Sequence, residues 1–259
     1  MVQINNDLCI SCGRCADNCA VHALFRQEDG TYRCGNLLCF NCGQCVAICP
    51  SGAISMPELE QAIEYTPAAF DLNAETLLNA MRFRRSIRRF TGEKLSREEL
   101  DMLLEAGRCA PTSSNTQSVQ FTVLDQEFEQ IRPLIWESFG RLTEDGPRKR
   151  LHRRYEQYLA NPDQPDTMFY GATQMIAVTA PNHIDGGLAL ANMELLAHAM
   201  GLGALYCGFA SHSINQDEQL RQYFGVSENR HLSGCLVLGR TDLRFHRTAP
   251  RKPPQVNWK

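Results

Sequence analysis

Residues 9–19 read CISCGRCADNC, and residues 39–50 read CFNCGQCVAICP. Both stretches carry the spacing C-x2-C-x2-C-x3-C: Cys9, Cys12, Cys15 and Cys19, then Cys39, Cys42, Cys45 and Cys49, with Pro50 after the second run. Three thiolates separated by two residues each can wrap one iron–sulfur cubane from a single tight loop. The fourth, on a short helix, reaches across to the neighbouring cubane. The spacing therefore predicts two [4Fe–4S] clusters, one on Cys9, Cys12, Cys15 and Cys49, the other on Cys39, Cys42, Cys45 and Cys19. Zinc is the weaker reading, because its sites usually pair two C-x2-C knuckles. Disulfides need an oxidising compartment, and the start MVQINNDLC has neither a basic nor an apolar leader region.

Nine of the twelve cysteines fall within the first 49 residues, so this part is set apart chemically from the rest. Over residues 1 to about 56 it resembles the bacterial two-cluster ferredoxins, with each repeat a short strand, a cysteine loop and a short helix. Two features depart from that pattern. Ala20 stands where a proline usually follows the fourth cysteine, and the connector 20–38 is long and carries Cys34, read as a spare thiol.

The chain of 259 residues, 43% of them hydrophobic, can bury a sizeable core. No apolar run approaches the roughly 18 residues of a membrane span, and a cytoplasmic protein is expected. The formal net charge is −3, and residues 1–60 hold three arginines against six carboxylates, so the acidity belongs to the cysteine-rich part. An acidic electron carrier suits a basic docking partner; nothing in the charge pattern points to nucleic acid.

Pro57 and Pro67 bracket a weakly helical stretch, and residues 57–73 read as a linker. Beyond it helices and strands interleave. Asn73 can cap a helix carrying Leu77, Leu78 and Met81, and Ser96 with Glu99 forms a capping box. Strands are predicted over 119–124, 174–180 and 232–239, and helices over 127–139, 147–160 and 186–200. The last is apolar all round, which predicts burial on several sides. Asn215 with Glu218 is expected to start another helix, and the proline-rich tail 248–259 should be extended.

Residues 84–90, RRSIRRF, place four arginines and a serine where a helix gives way to a loop, a composition suited to clamping phosphate. Residues 110–117, APTSSNTQ, offer free amides to a planar ligand. GLGALYCGF at 201–209, LGR at 238–240 and RKPP at 251–254 follow in order. Over residues 76–259 this set resembles the nitroreductase family of FMN-dependent oxidoreductases. The resemblance implies an α+β domain, a mixed sheet flanked by helices, in an intertwined homodimer with FMN at the dimer interface. Carried over by motif, Arg84, Arg85, Ser86 and Arg88 would hold the FMN phosphate. Thr112, Ser113 and Asn115 would approach the flavin from the partner chain, and Gly208 and Phe209 would line the cleft beside its ring. Arg251 and Lys252 would return to the phosphate. The family's tryptophan after the asparagine is missing: Gln117, Ser118 and Val119 stand there. No residue is assigned to flavin N5 or to catalysis.

The expected organisation is thus a two-cluster ferredoxin domain at 1–56, a linker at 57–73 and a nitroreductase-like FMN domain at 74–259. The expected function is reduction of a small electrophilic acceptor (a nitroaromatic, quinone or activated alkene), with electrons passed between two [4Fe–4S] clusters and FMN. The donor would be NAD(P)H or an external low-potential protein such as ferredoxin. The alternative is an electron-transfer or redox-sensing module that relays electrons through FMN to a protein partner. The basic run Arg148 to Arg154 reads first as a solvated helix face, and otherwise as a lid or a contact for a nucleotide phosphate. His212 is the best loop-borne proton donor, and His198 a packed histidine. Cys109, Cys207 and Cys235 read as packing, Trp136 and Trp258 as structural.

Overall fold

The computed structural model describes residues 1–35, 37–67 and 72–259. Asn36 and residues 68–71, the latter within the expected linker 57–73, lie outside the described residues. The chain divides into two compact units, Met1–Asp71 with Thr112–Thr116, and Leu72–Pro111 with Gln117–Lys259.

The first unit runs β1 (Gln3–Ile4), α1 (Arg14–Asp17), β2 (Leu24–Arg26), β3 (Tyr32–Cys34), α2 (Gln44–Ile48) and β4 (Ile54–Ser55). β1 and β4 pair antiparallel, and β2 and β3 form a hairpin within the long connector. The two cysteine loops share one backbone course. Gly13 (φ 78°) and Gly43 (φ 71°) precede α1 and α2 in the left-handed region, and Ser11 (φ 55°) and Asn41 (φ 51°) occupy it two residues earlier. That region is costly for most L-residues and routine for glycine. The C-x2-C-x2-C spacing therefore folds as a tight coil rather than a helix. Val2, Leu24, Cys45 and Ile54 form the small core beneath the loops.

The second unit runs α3 (Ala74–Phe83), α4 (Arg97–Arg108), β5 (Gln120–Leu124), α5 (Phe128–Thr143), α6 (Arg153–Ala160), β6 (Gln174–Ala180), α7 (His183–Ala199), β7 (Gly203–Tyr206), α8 (Gly208–Gln216), α9 (Glu218–Tyr223) and β8 (His231–Gly239). The sheet order is β5-β6-β8-β7. Every pairing among these four strands is antiparallel, where the resemblance implies a mixed sheet. All of β6 is buried, and its side chains alternate between two cores. Met175 and Ala177 pack with Phe128, Trp136 and Phe139 of α5 and Ile214 of α8. Ile176 and Val178 pack with Leu103 of α4 and Leu190 and Met193 of α7. A large side chain taken wholly from water contributes about 2 kcal/mol, so the two layers, and not local propensity, hold the sheet.

Caps fix several helix starts. Asn73 Oδ1 accepts from Thr76 N (3.0 Å), and both halves of the Ser96–Glu99 capping box are present. Elsewhere the structure corrects the sequence. Asn215 does not start a helix: it sits in the last turn of α8, and Asp217 caps α9 by accepting from Gln219 and Leu220 N–H groups. The basic stretch is not one helix but a 3-10 turn, Gly146–Leu151, followed by α6. α7 buries only one face within the chain, and its other apolar residues include Ile184 (73% exposed) and Leu188 (41%). Cys207 and Cys235 are buried and Trp136 is wholly enclosed, but Cys109, at the end of α4, is exposed. Trp258, in a tail without regular structure, is 93% exposed within this chain.

Adjacent glycines on α7 give a paired test. A Cβ on Gly186 would sit 2.0 Å from Ser233 Oγ, whereas one on Gly187 meets nothing within 4 Å. Gly186→Ala should cost about 1–3 kcal/mol by overpacking, and Gly187→Ala should stabilise by up to about 1 kcal/mol through helix propensity. Thermal melts of the two variants should therefore shift in opposite directions, and a common shift would refute the packing account.

Candidate functional site

In the first unit, Cys9, Cys12, Cys15 and Cys49 line one cavity, walled by Ile4, Tyr32 and Ile54. The first three come from one loop and the fourth from the end of the second run, the combination expected for one cluster. Burial first, and then the negative charge that Cys49 and Cys9 would carry, push the Cys15 thiol up. The same effects, from burial and from Cys39 and Cys42, push up Cys45. Thiolates so placed need a cationic centre to stay ionised together. Cys19 and Cys49 go the other way. Burial opposes it, but hydrogen bonds hold both thiols below their ordinary value: at Cys19 backbone N–H groups, among them Ala23 N (3.2 Å), and at Cys49 the Ser51 side chain first and then backbone N–H groups, among them Ala53 N (3.3 Å). Among the described residues no three His, Cys, Asp or Glu side chains converge on a single-ion position. A cubane spreads its thiolates over four separate irons and does not ask for such convergence. The soft all-thiol donor set fits two [4Fe–4S] clusters.

Cys34, read as a spare thiol, lies beside the second cysteine set. It hydrogen-bonds the Cys39 side chain and lies close to Cys45 and Cys19, three of the four cysteines of the second set. Burial and then Cys39 push its thiol up to about 11.

The second unit holds the arginine motif. Ile87 N donates to Ala204 O (3.0 Å) and Phe90 N to Tyr170 O (3.1 Å), so residues 84–90 run beside β7. Ile87 and Phe90 point inward to the core, while Arg85 and Arg88 are exposed. Arg84 is ion-paired with buried Glu194 of α7. Burial raises Glu194, and Arg84 opposes that shift. His198, one turn along α7, is held down by burial and then by Arg84. Arg84 and Arg85 line a smaller cavity of about 180 Å³ with Glu194, His198 and Phe245.

Arg88, Gly208 and Phe209 line a different cavity of about 470 Å³, together with Arg148, Tyr170 and His212. Gly208 opens α8, and a Cβ there would meet nothing within 4 Å, so the helix start presents bare backbone. Aromatic walls, an arginine and open backbone fit a planar, anionic heteroaromatic group such as FMN. Not all the expected flavin residues gather here. Thr112, Ser113 and Asn115 group with the first unit, where Asn115 Nδ2 donates to Asn41 O (3.0 Å). Ser86 is half-buried between the two inward-facing positions and the arginines, and lines neither cavity. Arg251 and Lys252 lie in the exposed tail and also line neither.

His212 sits within α8, not in a loop. Its Nε2 accepts from Arg148 Nη1, and burial followed by Arg148 holds its pKa below the usual value. A neutral ring with Nε2 already engaged is a poor proton donor. Tyr170 and Glu194 escaped sequence reasoning, whereas Arg148 entered it as part of a run read first as a solvated face and otherwise as a lid or a nucleotide-phosphate contact. Glu194 sits in an otherwise apolar helix, where a lone carboxylate is the one available signal.

Residues 81–240 match the nitroreductase family, and residues 8–53 match the 4Fe-4S dicluster domain. The four-stranded α+β unit and its arginine-lined cavity thus belong to a flavoprotein fold class. The chain belongs to the nitroreductase family, with a dicluster domain ahead of it. It is 29% identical over 157 residues to the FMN reductase (NADPH) of Bacillus subtilis, covering 57% of this chain and 58% of that one. It is 26% identical over 155 residues to an NADPH-dependent oxidoreductase of Staphylococcus aureus, covering 57% and 59%. The chain thus spans less than two thirds of the length of these relatives. In fold it is similar to a nitroreductase with bound FMN from Bacteroides fragilis (TM-score 0.58, 22% identity, 72% of this chain and 98% of that one). A Desulfitobacterium hafniense nitroreductase with bound FMN is comparable (TM-score 0.54, 23% identity, 70% and 98%). No helix among the described residues is long and apolar enough to cross a membrane.

Crosswise ligation has a direct test. Cys15→Ala and Cys49→Ala should each remove about four of roughly eight irons and abolish the same electron paramagnetic resonance signal, while Cys45→Ala abolishes the other. Loss of different signals from Cys15→Ala and Cys49→Ala would refute the pairing.

Proposed function

We propose that this chain is an FMN-dependent oxidoreductase that reduces a small electrophilic organic acceptor, of nitroaromatic, quinone or activated-alkene type, with two [4Fe–4S] clusters in the same chain serving its electron supply. The observation that carries this reading is the 470 Å³ cavity, where three residues of the flavin motif, Arg88, Gly208 and Phe209, meet at aromatic walls. When bound, FMN exchanges electrons singly or in pairs, and the clusters exchange them one at a time. Arg88 offers a guanidinium fork to an anionic part of the flavin, and Arg85 is free to share its phosphate. Arg84 serves that phosphate only while also answering Glu194, which makes it an orienting residue first. Gly208 lets the backbone come close to the ring. Phe209, Phe139 and Tyr170 exclude water from the space beside it.

The NADPH-dependence in the names of both relatives supports NAD(P)H as a donor. The surplus of carboxylates in the first 60 residues supports a second route, from an external basic electron carrier. An open cavity of this size favours an enzyme over a module that only relays electrons to a protein. A second copy of the chain would cover Ile184 and Leu188, the apolar face of α7, which supports a homodimer. Iron–sulfur thiolates persist in reducing compartments, which supports the cytoplasm.

Anaerobic stopped-flow tests the reading. NADPH or a reduced ferredoxin should bleach the flavin, and a nitroaromatic or quinone should restore it. A flavin that is reduced but never reoxidised by any small acceptor would leave the relay reading instead. Arg88→Ala should weaken FMN binding about tenfold, or about 1.4 kcal/mol, by fluorescence titration; unchanged affinity removes Arg88 from the site. Leu188→Glu should shift the chain toward monomer in sedimentation, and an undisturbed dimer would place the interface elsewhere.

A further inference from the structure

We infer that the cavity beside Phe209 selects an acceptor bearing an acid group, with Arg148 as the residue that receives it. The inference rests on the oxidoreductase reading and adds the substrate's charge to it.

The cavity holds two guanidinium groups and no carboxylate. Its charged or titratable cationic residues are Arg88, Arg148 and His212, and among the described residues no aspartate or glutamate lines it. Eight arginines elsewhere answer a carboxylate: Arg84, Arg89, Arg97, Arg108, Arg132, Arg141, Arg221 and Arg240. Among the described residues Arg88 and Arg148 do not. Arg148 is nevertheless held in place, because it donates to His212, whose ring is kept neutral by burial and by Arg148 itself. That bond orients the guanidinium without cancelling its charge. The adjoining concavity continues the same sign with Arg150, Arg153 and Arg154. Arg154 donates to Thr167 O (3.1 Å) and stacks over the Phe209 ring at 5.1 Å, so it too is fixed and unneutralised.

The two cations have different tasks. Arg88 belongs to the flavin motif, so an anion on the flavin accounts for its charge. Arg148 comes from the 3-10 turn Gly146–Leu151, outside every segment of that motif, and its charge is left for a second ligand. Arg148 is itself solvent-exposed, and a cation held at the edge of an aromatic-walled cavity favours a planar molecule that ends in a carboxylate, since a guanidinium binds that group with two parallel hydrogen bonds. The phosphate of a nucleotide donor is the competing source of negative charge, and the test separates the two.

The FMN-loaded full-length chain would be titrated calorimetrically with 4-nitrobenzoate and with its neutral isostere 4-nitrobenzamide. The carboxylate should bind about tenfold tighter, and Arg148→Gln should abolish that difference by weakening 4-nitrobenzoate alone. Arg148→Lys should keep part of it, and flavin content should stay constant throughout. Equal affinity for the two compounds in the unaltered chain would overturn the inference. So would an Arg148→Gln variant that loses affinity for NADPH but not for 4-nitrobenzoate. Tight binding of the carboxylate without turnover would count against the oxidoreductase reading and leave the charge selection standing.

Discussion

The antiparallel pairing of β6 with β8 is the constraint on which the second unit depends. Both strands are almost wholly buried, so neither can face water, and each must be covered on two sides. Alternate side chains therefore recruit α5, α8 and α9 to one face and α4 and α7 to the other. The rest follows from that demand. β7 lies on the outer side of β8, residues 84–90 run beside β7, and α8 starts where β7 ends. The cavity is lined from these joints. Arg88 comes from the segment beside β7, Gly208 and His212 from α8, and Arg148 from the turn after α5.

Charge is distributed with a comparable logic. A buried carboxylate such as Glu194 is tolerable only with a partner, since burial alone favours its neutral form. Arg84 supplies that partner, and in doing so loses part of the freedom that its place in the arginine motif suggests. Arg88, four residues on and exposed, keeps it. Two arginines of one motif thus have different surroundings, because one lies against a helix with an acid and the other lines a cavity where no acid is found among the described residues.

The dicluster character of the first unit was legible in the sequence because spacing within a loop is a local property. The gathering of Cys9, Cys12, Cys15 and Cys49 around one cavity needs only that the two repeats face each other. The capping box at Ser96 was legible for the same reason, since both partners lie within one turn. What failed was non-local. Asn215 and Asp217 are both competent caps, and the choice between them is made by where α8 runs out. The uniformly apolar α7 suggested enclosure, but only one face finds a partner within the chain. The pairing of Arg148 with His212 spans 64 positions and joins a turn to a helix, so no periodicity announces it. The neighbours of Cys34, namely Cys19, Cys39 and Cys45, arrive from both repeats, so its surroundings too are non-local.

The two cysteine loops have diverged in side chains, ISCGR against FNCGQ, yet they repeat the same left-handed torsions at Ser11 and Asn41 and again at Gly13 and Gly43. Duplication has therefore preserved a path of the backbone and left the decoration free. Positions 13 and 43 disfavour a side chain by their torsions, and positions 11 and 41 admit chiefly small polar residues that bear positive φ. The loop's tolerance to change is set by geometry that a comparison of letters would undervalue.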